Sequence, residues 1–234
     1  MARNSQRLLL FDIDGTLVKM RRGLPSLIFE GVLRSTFGKE ISLAGFDYTG
    51  KTDKRIIRET AERAGVSAEE VEAKEAEAMD RVITELAGLI DRDSMALLPN
   101  VTGLLEALEP NPDMMLALLT GNLPGCAEVK LKLYDLERFF RFGVYGTESA
   151  DRNDLGPIAL QRASELSGGR SFSGEDAVII GDSIRDVECA RAMSATSIIT
   201  LTGYSTREEI ERAGADHILE NFSDTEAVLR AIHS

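Results

Sequence analysis

Leu8-Leu9-Leu10-Phe11-Asp12-Ile13-Asp14-Gly15-Thr16 joins four consecutive apolar residues to two carboxylates, a glycine and a threonine. A continuous apolar run of this length, rather than an alternating one, suits a strand buried on both faces. Asp12 and Asp14 therefore emerge at the end of a strand, and Gly15 lets the chain turn sharply there. Two acids one residue apart on such a turn can serve one site in different roles. One can be a nucleophile and metal ligand while the other exchanges a proton with a leaving oxygen or an incoming water. The same residues also suit a plain turn with Asp as a cap, so partners elsewhere in the chain must decide between the two.

Working outward, further apolar runs occupy residues 114–119, 142–145, 177–180 and 197–201, with a weaker one at 217–219. Met114 and Met115 read as core. Helical spacing of apolar residues marks 100–108, 125–136 and 155–166, and the capping boxes Thr206-x-x-Glu209 and Ser223-x-x-Glu226 announce two more helices. This alternation predicts an α/β fold: a Rossmann-like parallel sheet with helices on both faces and ligands beyond the carboxyl ends of the strands. Residues 19–97 break the rhythm. They read as helices only, over 25–36, 53–64 and a longer one opened by Ser67-x-x-Glu70. The expected organisation is a catalytic core of residues 1–18 and 98–234 with a small all-helical cap, residues 19–97, inserted after the first strand. The acidic run 69–77 reads as a solvated helix face.

A second acidic turn, Gly181-Asp182-Ser183-Ile184-Arg185-Asp186, also follows a buried strand directly. Its carboxylates are four residues apart, hence on one side of a starting helix. Carboxylates gathered from two strand ends, together with a substrate phosphate, make a suitable shell for magnesium, a hard cation that prefers oxygen. A third turn, Leu119-Thr120-Gly121-Asn122, offers a hydroxyl and backbone amides that can hold phosphate oxygens.

These three motifs, in this order and separation, resemble motifs one, two and four of the haloacid dehalogenase superfamily, and the helical insert resembles its smaller type of cap. The likeness extends over the whole chain and is greatest to the phosphoglycolate phosphatase-like members. It implies that Asp12 attacks phosphorus, that Asp14 protonates the leaving oxygen and then activates water, and that Thr120, with Gly121 and Asn122, binds the transferring group. It further implies Mg²⁺ held by Asp12, the backbone carbonyl of Asp14 and Asp182, with Asp186 as a ligand or an orienting acid. The superfamily's third motif is a Lys or Arg ahead of a later helix. No lysine follows Lys132, and Arg152, after the 142–145 run and just before a helix, is the expected cation. An aspartate at position 14 implies an alkoxide leaving group and so points to a phosphatase, with a phosphomutase as the alternative.

Bulk properties agree with an enzyme for a small phosphorylated molecule. The 234 residues carry a formal net charge of −12, with 43% hydrophobic and 28% charged residues, which argues against nucleic acid or an anionic membrane as partner. No apolar run approaches the roughly 20 residues of a membrane span, and residues 8–11 are too few and too soon followed by acids for a secretory segment, so a cytoplasmic location is expected. Oligomeric state leaves no signature. Cys126 and Cys189 read as free buried thiols, and His217 and His233 receive no role. Gly45-Phe46-Asp47-Tyr48-Thr49-Gly50-Lys51-Thr52 matches the P-loop pattern of a nucleotide-binding NTPase or kinase, but a P-loop needs a buried strand before it, and residues 41–44 are short and mixed. We read it instead as a cap loop on which Lys51 meets the substrate. A non-catalytic binding protein is disfavoured by the complete acidic set.

Overall fold

The computed structural model describes residues 6–234; the first five residues of the expected core segment lie outside the described residues. Strand β1 (Arg7–Phe11) is the axis of the molecule. Its alternate side chains pack into two separate cores: Leu9 and Phe11 enter one with Leu104, Leu131 and Val228, while Leu8 and Leu10 enter the other with Leu155, Ala159 and Cys189. That division is why the run is continuous rather than alternating, since each face of the sheet is roofed by helices.

Around β1 stand β4 (Met114–Leu119), β5 (Gly143–Val144), β6 (Ala177–Gly181), β7 (Thr196–Thr200) and β8 (His217–Leu219), in the order β5-β4-β1-β6-β7-β8 and all parallel. Strand order reverses at β1, which pairs with β4 on one side and β6 on the other. The crevice expected at such a reversal therefore opens beyond Phe11, Leu119 and Gly181.

Helices α1 (Leu24–Phe37), α2 (Asp53–Arg63) and α3 (Ala68–Leu89) fill the stretch after β1 and share a hydrophobic cluster that includes Ile28, Ile57 and Val82. Leu123 and Cys126 join that cluster from the loop and helix after β4, so the helical layer sits on the carboxyl end of the sheet. The reading of residues 19–97 as helices only needs one correction. Strands β2 (Val18–Met20) and β3 (Met95–Leu97) form an antiparallel ribbon that closes the two ends of the helical stretch side by side. Three residues apiece with mixed exposure give too little pattern to be seen in sequence. Residues 41–44 form no strand, which removes the structural setting a P-loop requires.

The remaining helices are α4 (Val101–Leu108), α5 (Pro124–Lys132), α6 (Leu155–Leu166), α7 (Ile184–Met193), α8 (Arg207–Ala213) and α9 (Thr225–Ile232). Helix α5 ends before residue 136 because Asp135 adopts φ +56° and the Leu136 amide donates back to Leu131 O, a left-handed helix stop. The Thr206 capping box forms with both of its bonds. The Ser223 box does not. Asp224 caps α9 instead, its Oδ1 accepting from the Ala227 amide at 2.9 Å, while Ser223 N donates to Asn221. A carboxylate one residue closer to the helix wins over a hydroxyl.

The acidic face of α3 is solvated except at Glu75, which is buried and paired with Arg58 and, at 3.9 Å, Lys54. Both cysteines are free and buried. Among the described residues no helix is long and apolar enough to cross a membrane.

Candidate active site

Asp12 is the first residue past β1, its amide tied to Ile180 O at 2.9 Å, and its side chain is 5% exposed. Asp182 follows β6 directly and is equally buried, and Asp186, in the first turn of α7, is fully enclosed. Each of these three carboxylates offers an oxygen within 4.8 Å of the others'. Burial pushes Asp12 up from 3.8 to about 6; the Asp186 and Asp14 charges act the same way, against the pull of Arg152. Asp182 is driven well above the usual carboxylate range, by burial first and then by the Asp186 and Asp12 charges.

Arg152 opens a short 3₁₀ turn, Arg152–Asp154, before α6, and its guanidinium is buried between these acids. Nη2 lies 2.5 Å from Asp186 Oδ1 and 3.1 Å from Asp12 Oδ1. Burial works against its charge, but Asp12 and Asp186 outweigh that and hold it firmly protonated. One guanidinium against three carboxylates leaves an uncompensated negative pocket. Within it, Asp12 Oδ1 is buried without a directed hydrogen bond. An all-oxygen donor set of three buried carboxylates that share a single guanidinium fits a hard divalent cation. The three acids are not equally available. Asp186 Oδ2 accepts from Ser183 Oγ at 2.6 Å and from the amides of Ser183 and Asp182, and its Oδ1 takes Arg152. Asp12 and Asp182 keep the freer oxygens.

Glycines make this crowding feasible. Gly15 has φ +88°, and a Cβ there would lie 2.3 Å from Asp182 Oδ2. Gly15→Ala would combine a left-handed strain of about 1–2 kcal/mol with displacement of Asp182. The expected outcome is a weaker dependence of activity on added divalent cation at low concentration, with at least a tenfold rise in the half-saturating concentration. Cation titrations of activity, with thermal melts to confirm folding, would read it; an unchanged titration would count against Asp182 as a ligand.

Asp14 lines the same cavity as Arg152. Its Oδ2 accepts from Asn122 Nδ2 at 2.8 Å and from Lys130 Nζ at 2.5 Å, and its Oδ1 is a buried orphan. Thr120 is fully buried, its Oγ1 accepting from Asn122 N at 3.3 Å and Nδ2 at 2.9 Å, while Gly121 and Asn122 line the cavity above it. Lys51 also lines the cavity, but its ammonium is already paired with Glu59 at 2.6 Å and lies over the Phe46 ring.

The haloacid dehalogenase-like hydrolase profile matches residues 6–194, a span that takes in all three acidic and Thr-Gly-Asn turns and the helical layer. The chain belongs to that family. Among curated members, phosphoglycolate phosphatase 1 of Pseudomonas aeruginosa is 27% identical, the alignment covering 93% of this chain and 78% of that one. A hydrolase from Pseudomonas syringae superimposes with a TM-score of 0.70 at 21% identity, covering 98% and 100% of the two chains. A protein of Thermotoga maritima described as a putative beta-phosphoglucomutase does so with a TM-score of 0.60 at 20% identity, covering 96% and 98%. At these identities the structural likenesses establish the fold of this hydrolase family member and no more.

Two residues of this hydrolase's site escaped sequence reading. Lys130 is 4% exposed and bridges Asp14 to Asn122 Oδ1. A signal existed: Cys126, Ala127, Lys130 and Leu131 form the buried stripe of α5, and a lysine within an apolar stripe needs a partner. Asp53, first residue of α2, accepts from Leu123 N at 2.8 Å, and burial raises it from 3.8 to about 6. No signal marked it, because an acid in the first turn of a helix is ordinary.

Proposed function

We propose that this family member is a magnesium-dependent phosphatase acting on a small phosphorylated molecule. The observation that carries the reading is the pairing of Asp12 and Asp14 at one crevice, with Arg152 beside the first, Lys130 beside the second, and Asp14 Oδ1 buried without a partner. Asp12 attacks phosphorus, forming a P–O bond to its carboxylate as the bond to the leaving oxygen breaks. Asp14 gives that oxygen a proton, then takes one from the water that cleaves the aspartyl-phosphate. Arg152 orients Asp12 and neutralises phosphoryl oxygens, and the Gly121 and Asn122 amides receive the transferring group. Asp186 holds Arg152 in place, the orienting role of its two alternatives. Asp12, Asp182 and the Asp14 carbonyl would hold Mg²⁺, which when bound supplies charge neutralisation at the phosphoryl oxygens. Residues 19–97 serve as the cap that covers the reacting phosphate and selects its alcohol. The curated relatives bearing the name phosphoglycolate phosphatase support a phosphomonoester as substrate.

The test is release of inorganic phosphate from acetyl phosphate with magnesium and with a chelator, followed by acid quenching and mass analysis of the peptide containing Asp12. A phosphoryl adduct on Asp12, with turnover lost on chelation, is expected. Label on another residue, or chelator-resistant turnover, would refute it. Isomerisation of a sugar phosphate without phosphate release would mark the mutase alternative.

A further inference from the structure

The cavity running from Asp12 and Asp14 into the helical layer has a volume of about 130 Å³. Its far wall is built from Ile28 and Phe29 of α1, Leu43, Ile56 of α2, and Val82 and Leu86 of α3, all buried. Resting on the phosphatase reading above, we propose that the alcohol half of the substrate is uncharged and largely apolar, so that the enzyme acts on phosphate monoesters of alkyl-type alcohols in preference to phosphoglycolate or sugar phosphates.

A second anionic group on the substrate would need a cation, and three of the four lining the cavity are paired with carboxylates. Arg152 is shared by Asp12 and Asp186, Lys130 by Asp14 and Asn122, and Lys51 is held by Glu59. Lys19 donates to the carbonyls of Thr202 at 2.6 Å and Gly203 at 3.4 Å and lies over Tyr204. Against the far wall a polyol fares no better, since its six residues offer no polar side-chain atom and the Tyr48 hydroxyl is within 3.3 Å of Ser26 Oγ; Thr49, Asp53 and Tyr204 also line the cavity but are not part of that wall. Hydroxyls or a carboxylate pressed against such a wall lose water without replacement, whereas methylenes gain by burial. The asymmetry is large because a group left unpaired is rejected far more strongly than one of slightly wrong size.

The test compares wild-type kcat/KM at saturating magnesium for ethyl, propyl, butyl and pentyl phosphate, 2-phosphoglycolate and glucose 6-phosphate, with acetyl phosphate as control for the phosphate end. The alkyl series is expected to rise roughly two- to fourfold per methylene, with pentyl phosphate at least about tenfold ahead of phosphoglycolate and glucose 6-phosphate. A flat or falling series, or either polar ester ahead of pentyl phosphate, overturns the proposal while hydrolysis of acetyl phosphate leaves the phosphatase reading standing. If acetyl phosphate is not hydrolysed either, that reading fails and takes the proposal with it.

Discussion

An Asp12→Asn variant is expected to lose turnover by on the order of 10⁵-fold and yet to melt at a higher temperature than the wild type in metal-free buffer at neutral pH. The first half follows from removing the proposed nucleophile, since an amide cannot displace the alcohol. The second follows from burial. Asp12 is enclosed with Asp182 and Asp186, and its carboxyl is raised from 3.8 to about 6. A group whose folded value lies above its unfolded value costs stability when the pH is above both, here on the order of 3 kcal/mol, and costs nothing below both. The melting advantage of the variant should therefore be largest near about pH 7 and vanish towards about pH 4. Magnesium should shrink it as well, by stabilising the wild type more than the variant. Paired thermal melts across that range are the measurement. A variant that melts lower than wild type at neutral pH would mean that the Asp12 charge is a net asset to the fold.

Arg152→Gln is expected to act in the opposite direction on stability while also abolishing turnover. The guanidinium is the buried cation between Asp12 and Asp186, and removing one partner of a buried ion pair costs about 3–5 kcal/mol because the remaining charges stay buried without compensation. For a chain of this size that corresponds to a drop in melting temperature of roughly 10 °C. Magnesium should recover part of the loss, because a divalent ion neutralises the same carboxylates. Arg152→Lys should retain more stability than Gln and less activity than the wild type, since an ammonium keeps the charge that Nη2 presents to both acids but loses the second guanidinium nitrogen, which reaches Gly50 O. Urea titrations with and without magnesium, run beside phosphate release, separate these effects. A Gln variant as stable as the wild type would show that the three acids do not depend on Arg152.

How far the sequence could be read depended on whether a residue's task was local. Asp12 follows the apolar run 8–11 and Asp182 follows the run 177–180 and Gly181, and that adjacency alone puts both at strand ends. Arg152 needed the resemblance, because an arginine in a loop is ordinarily solvent-exposed; its burial comes from α7 and the loop after α1, far away in sequence. Lys130 was hidden because its meaning lies in Asp14, 116 residues away. The β2–β3 ribbon went unseen for the same reason, each half being too short to carry a period and existing only through the other. The misplaced cap of α9 is a different failure: Ser223 and Asp224 both suit a helix start, and the choice turns on where Phe222 and Thr225 are held by Asn100.

The seam between sheet and helical layer is drawn tight at the head of α2. Asp53 N donates to Gly121 O at 2.7 Å, Asp53 Oδ2 receives Leu123 N, and the Thr52 hydroxyl donates to Ala150 O at 3.1 Å. The approach is close enough that a Cβ on Gly121 would lie 2.5 Å from Lys51 O. The anchorage of the helices is thus also the scaffolding of the loop assigned to the phosphate. Exchanging this insert for one from a related protein would transplant more than a specificity wall: a graft without an acid at the head of its second helix would leave that loop unbraced, and a hybrid built that way should turn over every ester poorly, whatever its pocket can accommodate.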